Sequence, residues 1–311
     1  MSSASQTCIL MPTCERYRSA AALSISLLDK FWPSHPPIVI CGLERPERDG
    51  LGLPETAAAV PLQRDSRDWI GITLDGARAA RDRGYTRTFL ILDDQGPIDA
   101  CNSALLDRTL HEWMSELGCV YVGLLGWEQG EVAQGDTLGA RHLNLMRHAP
   151  NFRWRFALTP AIWTLDVLIG VLEAVASLKQ EPPARSCWYF EKAISREEVP
   201  LPAEWNARSY RLSGRDTAVD TQSARPWLSD TRDRAERAIN RTLRGGIFKS
   251  RLGRLVRPAK RRSMYIGAYP MHVSGFLDRG RPISRVVRLL RLRNHDDLAS
   301  AVSRAGALGA A

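Results

Sequence analysis

The sequence predicts an α/β protein with a mainly parallel central sheet flanked by helices and with a basic helical C-terminal part. Short apolar runs, such as Thr7 to Pro12 and Ile38 to Gly42, alternate with longer segments of helical periodicity, a pattern typical of strand–helix–strand units with parallel strands. The run Phe89 to Leu92 has no polar face, as expected of a strand that is covered on both sides. Basic residues concentrate after Lys192, which sets the C-terminal part apart.

The composition is that of an ordinary globular chain. Its 311 residues are 44% hydrophobic and 25% charged, enough for one large domain or two modest ones. No segment reaches the roughly 18–20 apolar residues of a membrane span, and the first residues, MSSASQT, do not resemble a signal peptide. We therefore expect a cytoplasmic protein. The six cysteines are scattered without C-x-x-C spacing, which indicates reduced thiols rather than zinc ligands or disulfides.

The charge is unevenly placed along the chain. The formal net charge is +9, and residues from Lys192 onward carry 25 of the 43 Lys and Arg residues but 11 of the 34 Asp and Glu residues, a net charge of +14. Between Arg237 and Leu277 there is no acidic residue. This asymmetry predicts contact with an anionic surface, for which nucleic acid and acidic lipid are the alternatives.

The first half of the chain divides readily into elements. The strand Thr7 to Pro12 is followed by a polar turn, by a helix from about Tyr17 to Phe31 and by the strand Ile38 to Gly42. A loop rich in charge, Gly and Pro is expected from Leu43 to about Arg67, and a helix from Trp69 to Arg83 that ends at Gly84. The strand around Phe89 to Leu92 comes next.

The middle of the chain continues the alternation. Apolar periodicity predicts a helix from about Ser103 to Leu117, a strand from Cys119 to Leu125 and a helix from Leu165 to Leu178. Residues 126–155 form a polar and aromatic segment, and Phe156 to Trp163 is expected to be a strand or extended edge that turns at Pro160. We take residues 1–200 as one domain.

The remaining residues have a different character. Residues 201–232 are predicted to be a loop or insertion, and residues 233–311 a basic helical region that includes a returning segment of the first domain at 265–282. Asp233 to Lys260 has the spacing of a basic amphipathic helix, which either lies on an anionic membrane or packs on the protein with a solvated basic face. A second basic helix is expected from Ile283 to Arg304.

Two adjacent carboxylates end the apolar run of the central strand. Asp93 and Asp94 follow it directly, and Gly96-Pro97 then breaks the element. Open α/β sheets bind ligands outside the carboxyl ends of their strands, so this pair is a candidate site for a metal-bound phosphate. The alternative is that one Asp caps the following turn while the other is solvated.

A third acid follows three aromatic residues. Glu191 comes directly after Trp188, Tyr189 and Phe190. Aromatic rings commonly contact sugar faces, and apolar surroundings raise the proton affinity of a carboxyl group. The alternative is that Trp188 and Phe190 belong to the core and Glu191 forms a surface ion pair.

The turn after the first strand contains no glycine, so the G-x-G-x-x-G signature of NAD and FAD binding is absent. Instead, four stretches in order resemble bacterial glycosyltransferases of the GT-A type, family 2-like, that assemble surface polysaccharides from activated sugars. They are TCILMPTCERYRSAAALSISLL, LILDDQ, ALTPAIW and WYFE. The resemblance covers residues 7–191 and, more weakly, 265–282.

The resemblance implies a transferase that uses a nucleotide-sugar donor and a glycan or lipid-linked acceptor. Thr13 and Arg16 would then line the nucleotide pocket, and Asp93 and Asp94 would meet the diphosphate through a divalent cation, Mg²⁺ or Mn²⁺. Glu191 would be the catalytic base that takes the acceptor's proton.

The same resemblance places His272 in a stretch that closes over the diphosphate, although a lone histidine is more often structural. The usual acidic motif is Asp-x-Asp, whereas this chain has Asp-Asp-Gln, so Gln95 would offer the cation a neutral oxygen with less charge. A diphosphate held with a cation or without one is open at this point.

Two other function classes remain as alternatives. The basic C-terminal part would supply phosphate contacts to a nucleic acid, but it has few aromatic residues to stack on bases, and we expect no nucleic-acid partner. A chain of glycosyltransferase-like fold that has lost catalysis and acts as an assembly partner is the other. If a lipid-linked acceptor is used, the protein is expected peripherally on the inner face of the membrane.

Overall fold

A computed structural model describes residues 6–44, 57–124, 131–138, 141–148, 155–178, 181, 185–214, 217–218, 264–265, 268–272, 275–278, 281–292 and 294–308. The strands of these residues are β1 (Thr7–Pro12), β2 (Ile38–Leu43), β3 (Ala58–Pro61), β4 (Arg87–Leu90), β5 (Tyr121–Gly123), β6 (Glu131–Leu138), β7 (Arg141–Arg147), β8 (Ala161–Thr164), β9 (Ser209–Gly214), β10 (Thr217–Ala218), β11 (Met264–Tyr265), β12 (Met271–His272), β13 (Leu277–Asp278) and β14 (Arg281–Pro282).

The helices flank these strands along the chain. They are α1 (Arg18–Phe31), α2 (Trp69–Asp82), α3 (Leu110–Glu116), α4 (Leu165–Ser177), α5 (Cys187–Ser195), α6 (Ala203–Ala207), α7 (Ser284–Leu292) and α8 (Asp296–Leu308). A π-helical turn, Leu105–Thr109, leads into α3, and a short 3-10 turn, Glu15–Tyr17, leads into α1.

Nine strands form the central sheet, in the order β3-β2-β1-β4-β8-β5-β9-β7-β6. Strands β1 to β4 are mutually parallel, and β5 is parallel to β9. Strand β8 runs antiparallel to its neighbours β4 and β5, and β7 runs antiparallel to β9 and β6. The predicted α/β class with a central sheet flanked by helices is confirmed, but the sheet is mixed, with four parallel and four antiparallel strand pairs where a mainly parallel sheet was predicted.

Strand β1 is apolar along its whole length because both of its faces are covered. Ile9 and Met11 belong to a cluster that includes residues of α1 and α3, whereas Cys8 and Leu10 pack with residues of α2 and α4 on the other face. Burial of both faces removes the alternation of apolar and polar residues, as expected of a parallel strand between two helical layers.

Helix α2 has a clear beginning and end in the sequence. The side chain of Asp68 accepts a hydrogen bond from the backbone N–H of Gly71, so it caps the first turn. Gly84 follows the last turn with a φ of 87°, a conformation that glycine adopts at little cost. These two residues explain why the predicted helix and the observed one nearly coincide.

The C-terminal helices pack on α1. Val286 and Leu290 of α7 are buried together with Leu298 and Val302 of α8, in a cluster that includes Leu23 of α1. The predicted single helix from Ile283 to Arg304 is wrong, because the chain breaks between α7 and α8. Asn294 has a φ of 60° there, and asparagine tolerates this left-handed conformation better than most residues.

Several strands were not predicted. Strand β3 lies in the expected loop from Leu43 to Arg67, and β6 and β7 form an antiparallel pair in the segment 126–155. The loop predicted for 201–232 begins instead with α6 and β9, and β9 lies inside the central sheet. The residues of β9 alternate between polar and apolar, but their burial does not, because Ser209 and Arg211 are buried like Tyr210 and Leu212.

The basic helix predicted for Asp233 to Lys260 lies outside the described residues. The returning segment 265–282 is described in part and contains β12, β13 and β14. Within the part of the chain that the structure describes, no helix is both long and apolar enough to cross a bilayer.

Candidate functional site

The order of the strands creates a crevice between β1 and β4. From β1 the chain moves outward through β2 to β3, and then returns to the opposite side of β1 to form β4. Helix α1 covers one face of the sheet and α2 the other, so their connections separate at this point. Such a switch point is where open α/β sheets usually bind their ligands.

Two predicted site residues meet in this crevice. Thr13 follows β1, and Asp93 follows β4 three residues after its last residue. The hydroxyl of Thr13 donates a hydrogen bond of 2.7 Å from Oγ1 to Asp93 Oδ2. Thr13 is 4% exposed, whereas Asp93 and Asp94 are half-buried. The ends of two parallel neighbours thus bring together residues that are 80 positions apart.

Helix α1 holds the backbone of the acidic loop. Ser24 is fully buried, and its hydroxyl donates to the carbonyl oxygen of Asp93 at 2.7 Å. The Oγ atom of Ser24 also accepts the N–H of Gly96 at 3.2 Å. A Cβ on Gly96 would lie 2.9 Å from Leu27 Cδ1, so the loop sits directly against the helix. Ser24 was not singled out in the sequence, although a serine on an apolar helix face was a usable signal.

The returning C-terminal segment covers the other side of the loop. The phenol of Tyr269 donates to the carbonyl oxygen of Gln95 at 2.9 Å, and the N–H of Phe276 donates to the carbonyl oxygen of Asp94 at 2.8 Å. Gly275 has a φ of 71°, and a Cβ there would lie 2.9 Å from Asp94 Cγ. The acidic loop is therefore held between α1 on one side and Tyr269, Gly275 and Phe276 on the other.

Gln95 uses both ends of its amide within the protein. Its Oε1 accepts the N–H of Leu92 at 3.1 Å, and its Nε2 donates to the carbonyl oxygen of Leu158 at 3.0 Å. One of the two lone pairs of the amide oxygen is therefore committed to the loop itself. Gln95 braces the loop against the chain that enters β8, and its predicted contact with a cation stays a prediction.

Glu191 lies on α5 and reaches the same residue. Its Oε1 accepts the N–H of Leu158 at 2.9 Å, and within the described part of the chain no ion pair of Glu191 is found, unlike the surface ion pair considered as an alternative. Burial raises the pKa of Glu191, and the hydrogen bond from Leu158 opposes this effect. Of the preceding aromatic residues, Phe190 is buried whereas Trp188 is 70% exposed.

The surroundings of Asp93 and Asp94 favour the protonated form of both carboxyl groups. Burial raises the pKa of Asp93 to about 6, opposed by the hydrogen bond from Thr13. Burial, and after it the negative charge of Asp93, raises the pKa of Asp94 well above its usual range. Among the described residues no positive side chain lowers either pKa. At neutral pH the pair therefore favours the arrival of a proton or a cation.

The N-terminus of α5 is close to this pair. Burial, with a smaller contribution from the charges of Glu191, Asp93 and Asp94, raises the pKa of Cys187 to about 11. Glu191 and the acidic loop thus both act on the thiol of Cys187, and their geometric link is Leu158, which hydrogen-bonds to Glu191 and to Gln95. Cys14 responds in the same way, since burial and then Asp93 raise its pKa.

Arg16 and His272 are placed less closely. Arg16 is exposed in the 3-10 turn, near enough to Tyr17 to oppose the rise that burial causes in the pKa of Tyr17. His272 belongs to β12, and its backbone pairs with that of Met264 in β11. The side chain of His272 is not among the described parts of the structure. The predicted roles of both residues in binding phosphate or nucleotide stay predictions.

The described residues contain no group of three or more His, Cys, Asp or Glu side chains that would hold a metal ion. Two adjacent carboxylates nevertheless fit a cation that takes its other ligands from a substrate and from water. Mg²⁺ is usually bound in this way, through one or two carboxylates and the phosphates of a nucleotide. Asp93 and Asp94 are the residues that would hold it.

Comparison with known proteins gives distant similarity only. No protein-family model matches the chain, and no curated protein matches it. Among solved structures, a mannose-1-phosphate geranyltransferase from Thermus thermophilus is similar with 14% identity and a TM-score of 0.30, over 68% of this chain and 74% of that one. A UDP-glucose pyrophosphorylase from Leishmania major, solved with UDP-glucose, is similar with 10% identity and a TM-score of 0.28. That match covers 56% of this chain and 53% of the pyrophosphorylase.

Proposed function

We propose that this protein is a glycosyltransferase that moves a sugar from a nucleotide-sugar donor to a glycan or glycolipid acceptor. The observation that carries the proposal is the acidic pair at the switch point: two half-buried carboxylates, with raised pKa values, beside the Thr13 hydroxyl. A site that gains by receiving positive charge suits a ligand that arrives with a cation, as a nucleoside diphosphate does.

The donor side of the reaction follows from this pair. Asp93 and Asp94 would hold Mg²⁺ or Mn²⁺, and such an ion would neutralise the charge that develops on the departing diphosphate. Thr13 fixes the rotamer of Asp93 through its 2.7 Å hydrogen bond. Arg16, exposed in the next turn, is our candidate for a contact with the nucleotide. His272, in the segment that covers the loop, is a further candidate.

The acceptor side rests on Glu191. Its pKa is raised, and the hydrogen bond from the N–H of Leu158 reaches only Oε1, so the carboxylate can accept a proton from a sugar hydroxyl. In the reaction the acceptor oxygen bonds to the anomeric carbon, the bond from that carbon to the diphosphate oxygen breaks with its electron pair, and the hydroxyl proton passes to Glu191. Gln95 links this residue to the acidic loop through Leu158.

A lipid-linked acceptor would require contact with a membrane surface. The basic segment 233–262 and the exposed arginines of the C-terminal helices, such as Arg288 and Arg291, suit a surface of anionic lipid. We accordingly propose a peripheral position on the inner face of the membrane.

The decisive experiment is a thermal-shift screen with a panel of sugar nucleotides and Mg²⁺ or Mn²⁺. We expect at least one sugar nucleotide to raise the Tm in the presence of the cation and to be slowly hydrolysed. Asp93→Asn should abolish this response, whereas the control Asp82→Asn, a change at an exposed residue that ends α2, should retain it. If no sugar nucleotide raises the Tm of the wild type or is hydrolysed by it, the proposed function is wrong.

A further inference from the structure

A cavity lies beside the helix that carries Glu191. Its volume is about 280 Å³, and it is formed by the end of α5, the loop that follows, α6 and the chain before β8. Two charged residues, one amide and an apolar floor line it: Arg155, Glu197, Asn206, Ile194, Val199 and Leu201. The site described above does not include any of these residues.

The cavity and Glu191 share the elements that hold them. Ile194 follows Glu191 by three residues on α5, so the two side chains are neighbours on one helix face, about 5–6 Å apart at Cβ. Arg155, which also lines the cavity, precedes Leu158 by three residues in the chain, and the N–H of Leu158 donates to Glu191. A ligand in the cavity would therefore lie about one helical turn from the candidate base, which does not itself line the cavity.

The lining suits one polyhydroxylated ring. A carboxylate accepts hydrogen bonds from hydroxyl groups, while a guanidinium and an amide donate to their oxygens. The apolar floor of Ile194, Val199 and Leu201 matches the C–H face of a sugar. The volume is near the lower end of the roughly 300–1,000 Å³ found for small-molecule sites, which indicates a single ring rather than an extended chain.

The backbone of Glu197 supports a role for its side chain. Its φ is 59°, and its N–H bonds to the carbonyl oxygen of Ile194 where α5 ends. At this position after a helix glycine is the usual residue, because a side chain is strained in the left-handed conformation. Glu197 lines the cavity and is exposed, so its carboxylate is available to a ligand there, and strained backbone of this kind is often found at binding sites.

We infer that this cavity binds the sugar ring of the acceptor whose hydroxyl is deprotonated by Glu191, an inference that rests on the proposed function. The ring is neutral, since the lining offers one negative and one positive side chain. Its class is a hexose or N-acetylhexosamine at the end of a glycan. The acceptor oxygen bonds to the donor's anomeric carbon, and its proton passes to Glu191.

The test is saturation-transfer NMR on the full chain with methyl glycosides of glucose, galactose, mannose and N-acetylglucosamine. We expect at least one of them to bind, and Glu197→Gly and Asn206→Ala each to weaken that binding by about five- to tenfold, the value of one hydrogen bond. Glu197→Gly should at the same time raise the Tm, because it relieves the left-handed strain. The control Glu198→Gln changes the neighbouring exposed acid and should bind like the wild type.

The result separates the cavity from the rest of the proposal. If sugar nucleotides bind but no methyl glycoside does, or if Glu197→Gly and Asn206→Ala bind the glycosides like the wild type, the cavity is not the acceptor site and the inference is overturned. If the glycosides bind with the expected losses but no sugar nucleotide does, the sugar site stands and the proposed transferase function fails.

Discussion

Gln95 and Glu191 both form hydrogen bonds with the backbone of Leu158, Gln95 with its carbonyl oxygen and Glu191 with its N–H. The amide Nε2 of Gln95 donates to the carbonyl oxygen of Leu158 at 3.0 Å, while the N–H of Leu158 donates to Glu191 Oε1 at 2.9 Å. The acidic loop and the candidate base are thereby joined through Leu158. This arrangement gives a physical reason for the amide in Asp-Asp-Gln: a carboxylate at this position has no proton to donate to the carbonyl.

The first prediction concerns this amide. Gln95→Glu should lower the free energy of unfolding at pH 7.5 by about 1–3 kcal/mol, because the carbonyl of Leu158 loses its donor and a third negative charge joins Asp93 and Asp94. Urea unfolding followed by circular dichroism measures the change. The difference from the wild type should shrink near pH 4, where the new carboxyl is protonated and can donate again. Equal stability of the two proteins at pH 7.5 would contradict the bracing role.

The second prediction concerns the pH dependence of stability. The pKa of Asp93 is raised by burial from 3.8 to about 6, so the folded state holds its proton more tightly than the unfolded state does. The contribution of Asp93 to stability should therefore be most favourable below about pH 4, fall as the pH rises toward 6, and stay low above it. Because one pKa unit is worth about 1.4 kcal/mol, the loss is on the order of 2–3 kcal/mol.

The comparison of wild type with Asp93→Asn isolates this effect from other titrating groups. Asparagine can still accept the hydrogen bond from Thr13 but cannot ionise, so the variant should be the more stable protein at pH 8 in the absence of divalent cations. Unfolding curves at pH 4 and pH 8 give the two differences. A wild type that is as stable as the variant at pH 8 would show that the buried charge costs nothing.

The third prediction concerns the contact between Gly275 and Asp94. Gly275→Ala places a methyl group against the carbonyl oxygen of Asp94 and 2.9 Å from its Cγ, at a φ of 71°. We expect a loss of about 1–3 kcal/mol of stability together with weaker binding of Mn²⁺ and nucleotide, because the carboxyl must move. Thermal unfolding and isothermal titration calorimetry measure the two effects.

Gly84→Ala is the matched control for this change. Gly84 also has a positive φ, of 87°, but a Cβ there would meet no atom within 4 Å. Its substitution should therefore cost only the backbone strain, about 1–2 kcal/mol, and leave ligand binding intact. If both variants bind Mn²⁺ and nucleotide equally well, Gly275 does not position Asp94.

The fourth prediction concerns Glu191. Glu191→Gln retains an oxygen that can accept the N–H of Leu158, so folding and donor binding should be preserved. Transfer should fall by roughly 10²-fold or more, as expected when a general base is removed. Steady-state transfer with saturating donor measures the loss, and Glu116→Gln, a change at an exposed residue of α3, serves as the control. Transfer retained by Glu191→Gln would assign the proton to another group.

Sequence patterns predicted the elements whose periodicity is strong and whose ends are marked. The bounds of α2 were predicted within one residue because Asp68 caps it and Gly84 ends it. Strand β9 was not predicted although Ser209 to Ser213 alternate between polar and apolar residues, and the burial of Arg211 at one of the polar positions is not what such an alternation indicates. Strand β3 was not predicted because it has only four residues, none of which is fully buried.

For the candidate site, the sequence by itself placed Asp93 and Asp94 at the carboxyl end of a buried strand and Thr13 after the first strand, since local hydrophobic runs determine where strands end. Only the tertiary structure decided what these residues touch. The order of the strands brings Thr13 to Asp93, and the antiparallel entry of β8 brings Leu158 between Gln95 and Glu191. The hydrogen bond from Gln95 to Leu158 spans 63 positions of the chain, and the one from Leu158 to Glu191 spans 33. Such contacts depend on how the sheet is assembled, and no local pattern in the sequence contains that information.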